Sequence, residues 1–227
     1  MYTMPADAPV VSIAEILRYM GTTARDTRSE QIAAEILDEV RRAAEIRVCY
    51  TPLAIEQSDE VITLGGILPL HSRDLCRHLE GCDRAILLGA TLGVGVDRLI
   101  ARYQHLSSVQ ALAADAAASA LIEAVCDACC AELQKKEGRL LTARFSPGYG
   151  DLALNTQFKL FALLDCARQI GLTLTDACMM TPTKSVSAIV GVGGTNRALC
   201  DLKCNACQQS HCLYRKDTTY ESTSDHP

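Results

Sequence analysis

Surplus positive charge is missing from this sequence. Against 22 Lys and Arg stand 27 Asp and Glu, a net charge of -5, and no basic run is interleaved with aromatics, which make up 4% of the residues. A surface that tracks phosphates needs the opposite sign, so nucleic acid is excluded as a partner. No apolar stretch of the roughly 18 residues needed to span a bilayer stands out. Residues 1–20 carry Asp7 and Glu15 where a signal peptide needs an apolar run. The expectation is a cytoplasmic protein with no membrane partner.

Cysteine, by contrast, is plentiful, with 12 in the chain. Without an export signal these do not read as a secreted disulfide framework, and reduced thiols, some on a metal, are expected. Cys126, Cys129 and Cys130 sit in an apolar helical run, where cysteine acts as a small hydrophobe. Cys49, Cys76, Cys82, Cys166 and Cys178 are scattered and suggest no role. The other four, Cys200-x3-Cys204-x2-Cys207-x4-Cys212, share a polar terminal segment too poor in apolar residues to build a core. That density fits a tetrahedral zinc or an iron–sulfur cluster, with His211 as a substitute ligand, or else redox-sensitive thiols that bind nothing. The first three also match the Cys-x3-Cys-x2-Cys spacing of radical S-adenosylmethionine enzymes, but too little chain follows here for a barrel, and the match reads as coincidence.

Hydrophobic residues make up 48% and charged residues 22%, the balance of a packed globular domain. We read one such domain over residues 1–198 and a Cys-rich metal-binding tail over 199–227. Residues 1–10 suggest an arm or a partner-binding strand. Ser12 and Glu15 have capping-box spacing ahead of a first helix, and a second amphipathic helix covers residues 28–46. Apolar runs at 47–55 and 61–70 read as strands with turns or bulges, and 72–79 as a short helix. Residues 84–95 give a buried strand entering a glycine-rich turn. That turn is either a phosphate loop or close strand-to-helix packing, and it lacks the spacing of either glycine nucleotide motif. Residues 108–135 predict a central buried helix in which Glu123 is costly unless it faces a ligand or a donor. A helix starting at Asn155 should turn Phe158, Phe161, Leu164 and Ile170 inward. Leu172–Met180 and Ser185–Val192 should pair as a hairpin, bringing Met179, Met180 and Lys184 together. The fold class is α+β, with long helices on a mainly antiparallel twisted sheet, because strands come in adjacent pairs.

Arg144-Phe145-Ser146-Pro147-Gly148-Tyr149-Gly150-Asp151 is a loop between two helices. It is either an ordinary Pro-Gly turn or a small-molecule clamp, in which a guanidinium forks onto a carboxylate and a tyrosine lies against a flat ring. Taken in order with Lys159–Asp165, Ile170–Asp176 and Met179–Ser187, it resembles the activation domain of cobalamin-dependent methionine synthase, over roughly residues 110 to 195. The resemblance implies that family's fold and a site for S-adenosylmethionine. Arg144 would hold the methionine carboxylate, Glu123 would accept from the ammonium, Ser146 would offer main-chain contacts, and Tyr149 would lie near the adenosyl part. In the family, the methyl group of S-adenosylmethionine and an electron from a reductase partner restore methylcobalamin after the cobalt is oxidised.

The departures shape the functional expectation. The family's homocysteine and folate barrels do not fit in 227 residues, and no Asp-x-His-x-x-Gly segment supplies a cobalt-ligating histidine. The family's His-Thr-Glu-Lys stretch is replaced by Asn155-Thr156-Gln157-Phe158-Lys159, and an upstream acidic contact has no counterpart. The expectation is a stand-alone activation module, part of a cobalamin-dependent methionine synthase or methyltransferase system. It would act on cobalamin held by a separate corrinoid protein or split synthase subunit, with a separate electron donor. The alternatives are a non-catalytic corrinoid-protein-binding subunit and an iron–sulfur electron-transfer protein built on the tail.

Overall fold

Residues 84–91 are apolar at nearly every position, and the fold places them where both faces of a strand are covered. The computed structural model describes residues 2–4, 8–22 and 27–193; the Cys200, Cys204, Cys207 and Cys212 cluster lies outside them. In chain order the elements are β1 (Tyr2–Met4), α1 (Ile13–Tyr19), α2 (Thr27–Ala43), β2 (Arg47–Ser58), β3 (Val61–Leu64), β4 (Leu68–His71), α3 (Arg73–His78) and β5 (Arg84–Thr91). There follow α4 (Val94–Leu106), α5 (Ser108–Glu137), α6 (Thr156–Leu164), α7 (Cys166–Ile170), β6 (Thr173–Leu174), β7 (Met180–Thr181) and β8 (Ser185–Val192).

The main sheet is antiparallel, in the order β4-β3-β2-β5-β8. β1 and β3 pair with successive stretches of β2, at residues 48–50 and 55–58. Side chains alternate across a strand. Ile86, Leu88 and Ala90 therefore join a core with α1, α2, α4 and α5, while Ala85 and Leu87 join a second core with α3, α6 and α7. Each such Leu or Ile contributes about 1.5–3 kcal/mol by leaving water. Covering on both faces is what turns the usual alternation into a continuous apolar run.

The Ala-rich α5 lies along the first of these cores. Ser107 caps its start by accepting from the Gln110 N–H at 3.4 Å, and Gly138, at φ 63°, ends it. At 30 residues, with a window of mean hydropathy 1.5, α5 is long and apolar enough to cross a bilayer. That corrects the expectation that no segment reaches that length. Here 56% of the window is buried inside the domain, as in the core helix of a packed fold.

Other expectations also change. β8 does not form a hairpin with the preceding segment. It pairs with β5 from Thr91↔Ser185 to Arg84↔Val192, and only Thr173↔Thr181 and Leu174↔Met180 form a local ladder. The long ladder on the free edge of β5 satisfies far more backbone than a local turn would. The helix after the loop breaks at Asp165 (φ 45°) into α6 and α7, Asn155 makes no side-chain cap, and Phe158 is exposed rather than in the core. Helix α1 starts after Ser12 without a side-chain cap, and Glu15 pairs with Arg18 at 3.2 Å.

The glycine-rich turn is explained by packing. Gly93 has φ 81° and donates its N–H to Thr91 Oγ1 at 3.1 Å. A Cβ on Gly95 would collide with the backbone carbonyl oxygen of Ala43 at the end of α2. Gly95→Ala should therefore lower stability by about 1–3 kcal/mol, the cost of overpacking against a rigid neighbour, read as an earlier urea midpoint at unchanged m-value.

Candidate functional site

Residues 141–145 run beside β8 as a further edge, with bridges Leu141↔Val192 and Phe145↔Ile189. The Phe145 and Ile189 N–H groups each donate to the other's carbonyl, at 2.9 and 2.8 Å. Neighbours in an extended segment point to opposite faces. Phe145 accordingly meets the His78 ring of α3, centroids 5.1 Å apart, while Arg144 reaches the other way, to α5.

There Arg144 is gripped by two acids. Its Nη2 lies 2.6 Å from Glu123 Oε2 and its Nη1 lies 2.5 Å from Asp127 Oδ1. Glu123 and Asp127 are one helical turn apart and so share a face. The guanidinium is 8% exposed, against 39% for Glu123 and 54% for Asp127. Burial works against its charge, but the carboxylates of Asp127 and Glu123 favour it, and its pKa stays above the usual arginine value. Burial pushes the Cys126 thiol well above its ordinary range and Cys129 up to about 12. Both therefore stay neutral and inert beside the ion pairs. Among the described residues no cluster of three or more His, Cys, Asp or Glu is arranged to hold a metal.

Two turns toward the start of α5 the pattern repeats. Lys184, just before β8, places Nζ 2.8 Å from Asp115 Oδ1 and 3.0 Å from Ser119 Oγ. Asp115, Ser119, Glu123 and Asp127 recur every fourth residue along one side of α5, with a cation set against each half of the row.

The loop after Arg144 is pinned elsewhere. Tyr149 N–H donates to the Ser146 carbonyl at 3.0 Å, and Gly148 N–H to that of Leu152 at 2.8 Å. Asp151 caps α3: its carboxylate accepts from Ser72 Oγ, from Arg73 N–H at 2.9 Å and from Asp74 N–H at 3.2 Å. Asp74 accepts in return from Asp151 N–H at 3.1 Å. The Ser72 hydroxyl, then the two amides, hold the Asp151 carboxyl below the usual carboxylate range. Gly150 (φ 53°) has no room for a side chain, because a Cβ would strike the Asp74 carboxylate. Tyr149 is 57% exposed and meets Phe145 edge-on, centroids 6.0 Å apart.

The structure thus joins Glu123 directly to Arg144, and leaves Ser146 and Tyr149 in the adjoining turn. Glu123 is half-buried rather than enclosed. Sequence reasoning passed over Asp127 and the Lys184 cluster. The i, i+4 spacing from Glu123 was the available signal for Asp127; nothing local in the sequence links Lys184 to Asp115.

A family model described as "Vitamin B12 dependent methionine synthase, activation domain" matches residues 77–198. A crystal structure described as the MetH reactivation domain bound to AdoHcy superposes with a TM-score of 0.61 at 16% identity, covering 84% of this chain and 81% of that one. At that identity the likeness establishes the fold. No curated protein matches the chain.

His78 anchors the strand that carries Arg144, its Nε2–H donating to the Ala143 carbonyl at 2.8 Å. Burial, partly offset by that bond, lowers its pKa below 6.5. The unfolded chain therefore takes up the proton first, and the stability His78 contributes is present above pH 6.5 and lost as pH falls through the folded-state value. Urea midpoints should drop from about pH 7 to about pH 5, and His78→Gln should flatten that slope.

Proposed function

The chain belongs to the family of vitamin B12 dependent methionine synthase activation domains, and from that premise we propose that it binds S-adenosylmethionine and supports reductive remethylation of a corrinoid cofactor held by a separate protein. The observation that carries this reading is the guanidinium of Arg144 set between Glu123 and Asp127. S-adenosylmethionine bears a carboxylate, an ammonium and a sulfonium, for a net charge of +1. One guanidinium with two carboxylates gives the site a local charge of -1, the complementary value.

The two ion pairs use two of the five N–H donors that a guanidinium carries, so a ligand carboxylate is received on the remaining ones. Glu123, on the more sheltered side, accepts from the ligand ammonium. Ser146 contributes main-chain contacts, and the exposed Tyr149 ring is offered to the adenosyl part. The job of these residues is to bind and orient the sulfonium so that its methyl group faces the corrinoid of the partner. A cobalamin-binding protein or split synthase subunit and an electron donor are the partners this reading requires. Cys200, Cys204, Cys207 and Cys212 are proposed to hold a sulfur-ligated metal, either zinc or an iron–sulfur cluster.

Calorimetry with S-adenosylmethionine should show one site, weakened about 10- to 100-fold by Arg144→Ala, which removes a charge-assisted contact of about 1.5–3 kcal/mol. Absence of binding to the unaltered protein would refute the reading. Tight association with a corrinoid protein but no S-adenosylmethionine-dependent remethylation would favour a non-catalytic binding subunit. Anaerobic purification should retain stoichiometric zinc, or iron with sulfide and a visible spectrum, and Cys204→Ser should lose it.

A further inference from the structure

The Lys184, Asp115 and Ser119 cluster has no part in the contacts assigned above, yet it is built on the same row of α5. We infer that it is a second station for the same ligand, one that takes the vicinal hydroxyls of the ribose and so determines specificity for the nucleoside end. This rests on the reading that Arg144 and Glu123 hold the amino-acid end.

The groups present fit a diol. Asp115 uses Oδ1 on Lys184, and among the described residues its Oδ2 has no hydrogen-bond partner, although the side chain is 55% exposed. Lys184 Nζ has three N–H donors, of which the Asp115 and Ser119 bonds use two. An open acceptor and an open donor thus stand side by side, and a vicinal diol can donate to the first and accept from the second.

The cation is held firmly in place. Lys184 is only 15% exposed. On one side of it Thr183 gives its N–H and hydroxyl to Asp97, at 2.9 and 2.6 Å; on the other, Ser185 gives its hydroxyl to the Pro182 carbonyl at 2.7 Å and lies 2.8 Å from Thr91 Oγ1. A mobile surface ion pair has no such framing.

The spacing also fits. The midpoint of Asp115 and Ser119 lies eight residues from that of Glu123 and Asp127, about 12 Å along a helix axis. In an extended S-adenosylmethionine about seven bonds, roughly 9 Å, separate the carboxyl carbon from C3′ of the ribose. Adding hydrogen-bond reach of about 3 Å at either end, the ligand spans the stations without strain.

The test is calorimetric, on the full chain, with S-adenosylhomocysteine and its 2′-deoxy analogue as probes. Wild-type protein should prefer the ribose form about tenfold, a difference of about 1.4 kcal/mol. Asp115→Asn should bring that ratio close to one while leaving affinity for the deoxy analogue within about twofold. Lys184→Met, a second route to the same answer if the first variant does not fold, should lower the ratio as well. A ratio unchanged in both variants would overturn the inference alone, because a merely structural cluster shifts both affinities together. If the wild type binds neither probe nor S-adenosylmethionine, the proposed function falls and this inference with it.

Discussion

Burial of β5 on both faces is the constraint from which the other arrangements follow. A strand apolar in both directions requires a helical layer above and another below, and it requires backbone partners at both edges. β2 fills one edge and β8 the other. Residues 141–145 then extend the sheet beyond β8, and the strict alternation of an extended backbone decides which neighbour reaches which layer. Arg144 meets α5 because Phe145 meets His78.

The polar chemistry is laid along a helix that is otherwise almost featureless. α5 packs Ala, Leu, Val and Cys into the core it shares with α1, α2, α4 and the sheet, while Asp115, Glu123 and Asp127 lie along one side of it where solvent still enters. Carboxylates on such a margin escape the full cost of enclosure, and the buried guanidinium they hold remains charged. The neutral thiols of Cys126 and Cys129 behind it add no competing nucleophile. The result is a row of polar side chains along one side of α5, with one cation set against each half.

Most of the architecture was legible because periodicity survives tertiary packing. The helices at 27–43 and 108–137 and the strand at 84–91 lie close to where apolar spacing puts them. The pairing of residues 185–192 was misread as a local hairpin, because the strand there is claimed by the open edge of β5, about a hundred residues earlier in the chain. Glu123 and Arg144 could be named from motif order, and they do touch. Lys184 against Asp115 could not, since the pairing depends on how β8 docks beside α5. Phe158 was misread because the inward stripe of α6 runs through Gln157, Leu160, Phe161 and Leu164, a polar residue taking the place next to it.

The reciprocal bonds between Asp151 and the Ser72–Asp74 turn tie the loop after Arg144 to a stretch that precedes residue 77, where the family match begins. The segment matched by the family model and the mechanically complete unit therefore have different borders in this protein. A fragment cut at the limits of the shared sequence would keep the recognisable motif and discard its fastening, leaving Gly148 and Gly150 free to explore the wide backbone range that glycine allows. The recognisable loop is thus held in shape by a turn that lies outside the matched segment.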